Sequence, residues 1–261
     1  MREHHERVIQ RLTERFQSDP RFLALIVGGS VAKGWEIEDS DVDVMLIASD
    51  EEYARRAATR DLGYFDFEIV DYPGGYVEGK IIDLAFLQEV ADHGSEPARS
   101  AFLKTIVAYS HLPDLDTLLA RIPVYQEQEH EVKMRAFASQ LAISNWYLWD
   151  AERRQNFYQL SWAANNLVLF GGRLILAHNR LLYPYHKWFL HQLRLAPAKP
   201  ENLLDLINIL LHHPDSGNAH AFYDSITTFL DLKIDLNQAA VEFVQASEWN
   251  WRDGRPPVAD W

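Results

Sequence analysis

The residues with the clearest chemical potential are three carboxylates. Asp41 and Asp43 lie two positions apart at the start of an apolar, strand-like segment, so both carboxylates point to one side of a strand. Asp83 is a lone acid inside the apolar segment 81–86, where a carboxylate is costly unless it is paired or bound to a metal. Carboxylate oxygens are hard ligands that suit Mg²⁺. We therefore expect Asp41, Asp43 and Asp83 to form a two-metal clamp of the kind that holds attacking and leaving oxygens in phosphoryl transfer.

A glycine-rich turn precedes these acids. Gly28 and Gly29 follow the apolar run 22–27 and allow the close backbone approach that a phosphate group needs. Ser30 adds a hydroxyl and is expected to cap the helix that follows. We predict that Gly28, Gly29 and Ser30 bind nucleotide phosphates. Lys33, in the same loop, is expected on the surface.

The elements that position these residues change in character along the chain. Val8, Ile9, Leu12 and Phe16 have the spacing of an amphipathic helix over 4–18. Apolar and alternating segments predict strands at 22–27, 41–47, 64–71 and 80–87, with a helix at 50–61. After about residue 88, helical periodicity takes over. The sequence thus predicts an α/β domain over 1–110, which carries the acids, followed by an all-helical domain over 111–261.

The order of these motifs resembles a known family. A Gly-Ser pair at Gly29-Ser30, an Asp-x-Asp at Asp41 and Asp43, and a later strand aspartate resemble the nucleotidyltransferase superfamily typified by DNA polymerase β, over residues 20–88. The helical half resembles the bacterial aminoglycoside and lincosamide adenylyltransferases. The resemblance implies a twisted mixed sheet flanked by helices. It also implies phosphates near Gly29 and Ser30, metals on Asp41 and Asp43, and Asp83 as third ligand or general base.

The resemblance further implies a reaction. An acceptor hydroxyl attacks the α-phosphate of a nucleoside triphosphate, with ATP as the default, and pyrophosphate leaves, assisted by two Mg²⁺ ions. The expected product is a small molecule carrying AMP; an aminoglycoside-like antibiotic is one such acceptor, which would make this a resistance enzyme, and an unknown metabolite is another. Alternatives are nucleotidylation of RNA or protein, and a non-catalytic nucleotide-binding scaffold.

In two-domain adenylyltransferases the helical domain closes over the nucleotide and supplies a cation to the triphosphate. Lys187 is the candidate here, with Arg180 behind it. The alternative is that this stretch is a packed helix junction with Lys187 on the surface.

Three further groups of residues are expected to have a structural role and not a role in a site. Two of them are aromatic groups expected to pack in the core, and the third is a group of glutamates expected at a solvated helix start. These are Tyr183, Tyr185 and Trp188; Trp146, Trp149 and Trp162; and Glu127, Glu129 and Glu131.

Composition narrows the class of partner. The 261-residue chain has a net charge of −13 with scattered Lys and Arg, which argues against a grip on nucleic acid and suits a cationic acceptor. The alternative interpretation is that the acidic net charge serves only to keep the protein soluble. The absence of cysteine excludes disulfides and thiolate metal sites. No apolar run approaches the roughly 20 residues of a membrane span, and no signal-peptide core opens the chain, so we expect a cytoplasmic protein with no membrane partner. A homodimer that completes the acceptor site remains open.

Overall fold

A computed structural model describes residues 1–255 and 258–261 of the protein. The chain divides into two compact units. The first, called here the α/β unit, consists of residues 1–94 and 98–124. The second, the helical unit, consists of residues 95–97 and 125–261. The division along the sequence therefore falls later than residue 110, and the autonomy of the two parts as domains stays a prediction.

A five-stranded mixed sheet forms the centre of the α/β unit, as expected. The strand order is β3-β4-β2-β1-β5, with β2 and β4 parallel and the other neighbours antiparallel. The strands are β1 (Phe22–Val27), β2 (Val42–Ala48), β3 (Gly63–Asp66), β4 (Val77–Ile82) and β5 (Ile106–Ser110).

Each face of this sheet has its own apolar core, because side chains alternate along every strand. Val42, Val44 and Val77 face the helices α1 (Glu3–Phe16) and α3 (Asp50–Thr59). Ile47 and Ile82 face the other side, with α4 (Leu84–His93) and α6 (Leu115–Arg121). Two short helices complete the set: α2 (Gly29–Lys33) and α5 (Glu96–Ala101), whose first two residues belong to the helical unit.

Two predicted strands have different bounds, for reasons visible in their hydrogen bonds. The strand expected over 64–71 ends at Asp66, because the Asp66 carboxylate accepts the backbone N–H groups of Glu68 and Ile69 and turns the chain. The strand expected over 80–87 runs from Val77 to Ile82 instead, because Asp83 starts a helix there.

The helical unit contains six helices in the described residues. They are α7 (His130–Arg153), α8 (Phe157–His178), α9 (Phe189–Leu195), α10 (Leu203–His212), α11 (Ser216–Phe229) and α12 (Leu236–Ser247). The long helices α7 and α8 pack together through a shared apolar core that includes Phe137, Leu141, Leu167 and Leu174.

Helix α8 is long and apolar enough, by length and composition, to cross a membrane. Of its most apolar 18-residue window, 67% is buried inside the protein. Its apolar side chains are thus used in the core of the helical unit, and the cytoplasmic location stays a prediction.

The helical unit also buries a group of charged side chains. Glu96, Lys133 and Arg173 are only 2%, 1% and 0% exposed. The Glu96 carboxylate accepts from Lys133 Nζ at 3.0 Å and from Arg173 Nη2 at 3.1 Å. It also accepts the backbone N–H of Tyr183 at 3.0 Å, while the Arg173 guanidinium lies 4.4 Å from the Phe137 ring. The Glu96 carboxylate thus pairs with both cations away from water, and Lys133 has a second carboxylate partner in Glu129 at 3.1 Å.

Candidate functional site

Strand register brings three carboxylates to one face of the sheet. Asp43 lies in β2 directly beside Glu78 of the parallel strand β4, and Asp41 precedes β2 by one residue. Residues in register project to the same side, and so do residues two apart. Asp41, Asp43 and Glu78 therefore share a face, and all three are only partly buried. The expected carboxylate on the strand adjacent to β2 is present, and its identity is Glu78.

Asp83 is elsewhere, which corrects its assignment to the acidic cluster. Ile82 is in register with Ile47, so Asp83 lies beyond the far end of the parallel pair, five positions along β4 from Glu78. Its carboxylate accepts the N–H of Phe86 at 2.8 Å and caps α4. A helix cap satisfies an aspartate at the end of an apolar strand without any metal.

The glycine turn, Gly28-Gly29, packs against Asp43. The Gly28 N–H donates to the Asp43 carbonyl oxygen at 2.9 Å. Gly29 has a positive φ of 63°, and a Cβ there would lie 1.7 Å from Asp43 Oδ2. Only glycine therefore allows the Asp43 carboxylate to lie against this backbone. The predicted cap is wrong, since α2 begins at Gly29 with Gly28 as its cap residue, and Ser30 lies buried inside the first turn.

Lys33 is buried rather than on the surface, so that expectation is also wrong. It is only 8% exposed, and its Nζ lies 5.3 Å from the centre of the Trp35 ring. Burial lowers the pKa of Lys33, while the negative charge of Asp43 acts in the opposite direction. Sequence did contain a signal: Lys33 follows Gly29 by four residues, which places both on one side of a helical turn, facing Asp43.

Tyr76 is a second site residue that sequence reasoning missed. The Val42 N–H donates to the Tyr76 carbonyl oxygen at 3.0 Å, which places Tyr76 beside the start of β2 and next to Asp41. The pKa of Tyr76 is raised, first by the charge of Asp41, then by burial, and further by Glu78 and Asp43. The charges of all three carboxylates therefore act on the Tyr76 phenol.

The segment that leads into Asp41 is fastened to its surroundings. The carbonyl oxygen of Ser40 accepts from His5 Nε2 at 3.1 Å and from the Tyr72 hydroxyl at 2.7 Å. His4 Nε2 donates to the Glu38 carbonyl oxygen at 3.0 Å. Helix α1 therefore positions the start of β2, and with it Asp41.

Lowering the pH is expected to weaken the attachment of this segment to helix α1, and His5 is the group responsible. Burial, helped by the adjacent His4 ring, lowers the pKa of His5 below its ordinary 6.5. The folded state therefore binds fewer protons than the unfolded state below pH 6.5, and stability is lost as pH falls toward the folded pKa. We expect the free energy of unfolding to drop between pH 7 and pH 5, with a shallower drop in His5→Gln.

Urea unfolding at several pH values measures this slope. His93→Gln, which removes an exposed histidine from the same unit, is the matched control and should keep the wild-type slope. Identical slopes in His5→Gln and wild type would show that His5 does not carry the effect.

The remaining sequence candidates lie in the helical unit. Lys187 is exposed on the single turn His186–Trp188, with its Nζ 5.9 Å from the Trp188 ring. Arg180 pairs with Glu127 at 2.8 Å on the surface. A phosphate contact for Lys187 stays a prediction.

Side chains expected to pack in the helical unit divide into two groups. Tyr183 is fully buried beside Arg173, whereas Tyr185 is exposed. Trp146, Trp149 and Trp162 are exposed at one end of the α7–α8 pair, so the prediction of a core role for them is wrong. Helical spacing places Trp146 and Trp149 on one face of α7, but it does not say whether a further helix covers that face.

A preformed metal cage is absent from residues 1–255 and 258–261. No group of three or more His, Cys, Asp or Glu side chains there is drawn together closely enough to hold an ion. The carboxylates of Asp41, Asp43 and Glu78 share a face and do not converge into a cage.

Comparisons with known proteins add little beyond this geometry. No known family matches the chain, and no curated protein matches it. A solved structure of a nucleotidyltransferase-like protein from Exiguobacterium sibiricum is similar to this chain with a TM-score of 0.49 and 12% sequence identity. The similarity covers 97% of this chain and 81% of that one. At these values the likeness assigns neither family nor activity.

Proposed function

We propose that this protein is a metal-dependent nucleotidyltransferase that moves a nucleoside monophosphate, AMP from ATP, onto the hydroxyl of a small-molecule acceptor. The observation that carries the proposal is the shared face of Asp41, Asp43 and Glu78, with the Gly28–Gly29 turn held against Asp43. Phosphoryl transfer needs a cation site beside a phosphate-approaching backbone, and this face has the residues for both.

The donor set fits Mg²⁺ in the way that ion is usually held. Mg²⁺ binds proteins through one or two carboxylates and completes its shell with water and substrate phosphates. Asp41 and Asp43 supply such a pair, so a cage of three protein ligands is not required. Two ions would draw on Glu78 as well. When bound, the ions would neutralise the charge that develops on the phosphate oxygens.

The residues of the chain then divide the reaction between them. The backbone at Gly28 and Gly29, with the Ser30 hydroxyl, binds the triphosphate. Glu78 accepts the proton of the acceptor hydroxyl, and the hydroxyl oxygen forms a bond to the α-phosphorus. The bond between the α-phosphorus and the bridging oxygen breaks, and its electron pair leaves with pyrophosphate.

The acceptor class follows from charge. With a net charge of −13 and acids on the site face, the protein suits a small, cationic acceptor better than a polyanion. A direct test is pyrophosphate release from each of the four nucleoside triphosphates with Mg²⁺ and a panel of alcohols that includes aminoglycosides and lincosamides. Release that requires both acceptor and Mg²⁺ supports the proposal; no release from any pair opposes it.

Tyr76→Phe should weaken divalent-metal binding. The hydroxyl of Tyr76 orients the Asp41 carboxylate, and loss of such an outer contact lowers metal affinity by about 10–100-fold. Calorimetric titration with Mn²⁺ measures the change. Tyr109→Phe, which removes a hydroxyl at a weak contact with the Phe22 carbonyl oxygen, is the control. Equal Mn²⁺ affinities in wild type and Tyr76→Phe would remove Tyr76 from the site.

A second candidate is a nucleotide-binding scaffold without catalysis. The observation in its favour is that the described residues hold no cage of three metal ligands. Such a scaffold would bind nucleotide equally well with and without Mg²⁺. Action on RNA, the other alternative, would require retention on heparin at low salt, which the acidic chain should not show.

A further inference from the structure

Three aromatic side chains form a row beside the acids of the α/β unit; this set, Phe65, Phe67 and Tyr76, is called here the aromatic row. Phe65 and Phe67 are 60% and 69% exposed. The Phe67 ring is stacked on Tyr76, with centroids 5.6 Å apart and an interplanar angle of 24°. Large exposed phenyl groups next to a polar site are typical of ligand-contact surfaces.

Register places Phe65 of this row on the same sheet face as the carboxylates. Phe65 of β3 is in register with Glu78 of β4, which is in register with Asp43 of β2. Tyr64, the neighbour of Phe65, points to the opposite face and packs against the core there. Because β3 is the outermost strand, no further strand of the described residues lies beyond Phe65.

The in-line geometry of phosphoryl transfer indicates which substrate contacts the aromatic row. In phosphoryl transfer the attacking and leaving oxygens lie roughly in line, on opposite sides of the phosphorus. The Gly28–Gly29 turn, proposed to bind the leaving diphosphate, follows β1, on one side of β2. Glu78 of β4 and Phe65 of β3 lie on the other side, with Phe67 directly after β3 and Tyr76 directly before β4. The attacking hydroxyl therefore arrives from the side of the aromatic row.

We infer that the aromatic row is the acceptor subsite, and that the acceptor contains a planar aromatic ring that stacks on Phe65 and Phe67 while its hydroxyl reaches Glu78. This inference rests on the proposed function for the direction of transfer. Phenyl side chains offer no hydrogen bond, so they select for a flat apolar ring face. Glu78, next to Phe65 in the sheet, is the nearest proton acceptor in register with the row.

Two matched probes test the subsite without any transfer step. Phenyl β-D-glucoside and methyl β-D-glucoside carry the same hydroxyls, and only the first carries an aromatic ring. Binding of each is measured by saturation-transfer NMR to wild type, to a Phe65→Ala/Phe67→Ala double variant, to Phe86→Ala and to Asp43→Asn. Phe86 is an exposed phenylalanine near the opposite end of the same sheet.

The expected result is that wild type prefers the phenyl glucoside, and that the double variant loses about tenfold in affinity for it, as for one lost stacking contact. Phe86→Ala and Asp43→Asn should keep the preference. Equal binding of the two glucosides by wild type, or a preference that survives in the double variant, overturns the inference. Thermal unfolding of the double variant near the wild-type temperature confirms that its fold is retained.

Failure of the proposed function has a different signature. Wild type that binds the phenyl glucoside through Phe65 and Phe67 but binds no nucleotide with Mg²⁺ would overturn nucleotidyl transfer and leave a ring-binding site. If methyl β-D-glucoside saturates the protein at the same concentration as phenyl β-D-glucoside, the site recognises the sugar, which contradicts the aromatic subsite.

Discussion

Asp43→Asn is expected to abolish nucleotidyl transfer while the α/β unit stays folded. Asparagine keeps the shape of the side chain, so it fits the space beside Gly29, but it removes one anionic metal ligand. Loss of metal-assisted charge stabilisation is worth several kcal/mol, so turnover should fall by about a thousandfold or more. Pyrophosphate release with the best acceptor of the panel measures the loss.

The matched control is Asp39→Asn. Asp39 lies in the same segment, is exposed, and has no place on the face shared by Asp41, Asp43 and Glu78. It makes the same change in net charge and should keep wild-type turnover. A fully active Asp43→Asn protein would contradict the assigned mechanism, since no other residue of β2 replaces this carboxylate.

Glu96→Gln is expected to destabilise the helical unit more than any other single charge removal described here. Lys133 and Arg173 are nearly inaccessible to solvent, and the buried Glu96 carboxylate pairs with both of them. Lys133 also pairs with the exposed Glu129, and Arg173 also donates to the Trp261 carbonyl oxygen. Breaking a buried ion pair by removing one partner costs about 3–5 kcal/mol, because an uncompensated charge stays buried. Urea unfolding followed by tryptophan fluorescence reports on this unit, since every tryptophan except Trp35 lies in it.

Glu127→Gln separates burial from charge. Glu127 makes a close ion pair with Arg180, but 65% of its side chain is exposed. Exposed pairs contribute about 0–1 kcal/mol, so this variant should unfold within that range of wild type. Equal and small losses in both variants would mean that the Glu96 cluster is hydrated in solution and does not depend on its carboxylate.

The elements around the site could be predicted because their signals are local. The apolar run 22–27, the glycines after it and the polar-to-apolar segment from Asp41 each specify their own conformation. The third carboxylate could not be chosen in the same way. Glu78 and Asp83 both adjoin the apolar strand β4, and only the register of β4 against β2 decides which of them lies beside Asp43. Parallel register is a long-range property that no local pattern contains.

The burial of a single side chain could likewise not be predicted from the sequence where an element distant along the chain covers it or leaves it exposed. Lys33 is buried because the α2 turn folds back on β2, and this contact joins segments that are not adjacent in sequence. Trp146 and Trp149 are exposed because no other element covers that part of α7, although their helical spacing matches that of core residues. Tyr76 lies beside Asp41 because its carbonyl oxygen accepts the Val42 N–H, a contact between segments that are far apart in sequence.

The most direct test of a nucleotide–metal site is calorimetric binding of a non-hydrolysable ATP analogue, with and without Mg²⁺. The measurement is made on wild type and on an Asp41→Asn/Asp43→Asn variant. The account predicts binding that requires Mg²⁺ in wild type and is lost in the variant. Binding that is unchanged by Mg²⁺ or by the two substitutions would contradict it. Failure of wild type to bind an analogue of any of the four nucleoside triphosphates would contradict it as well.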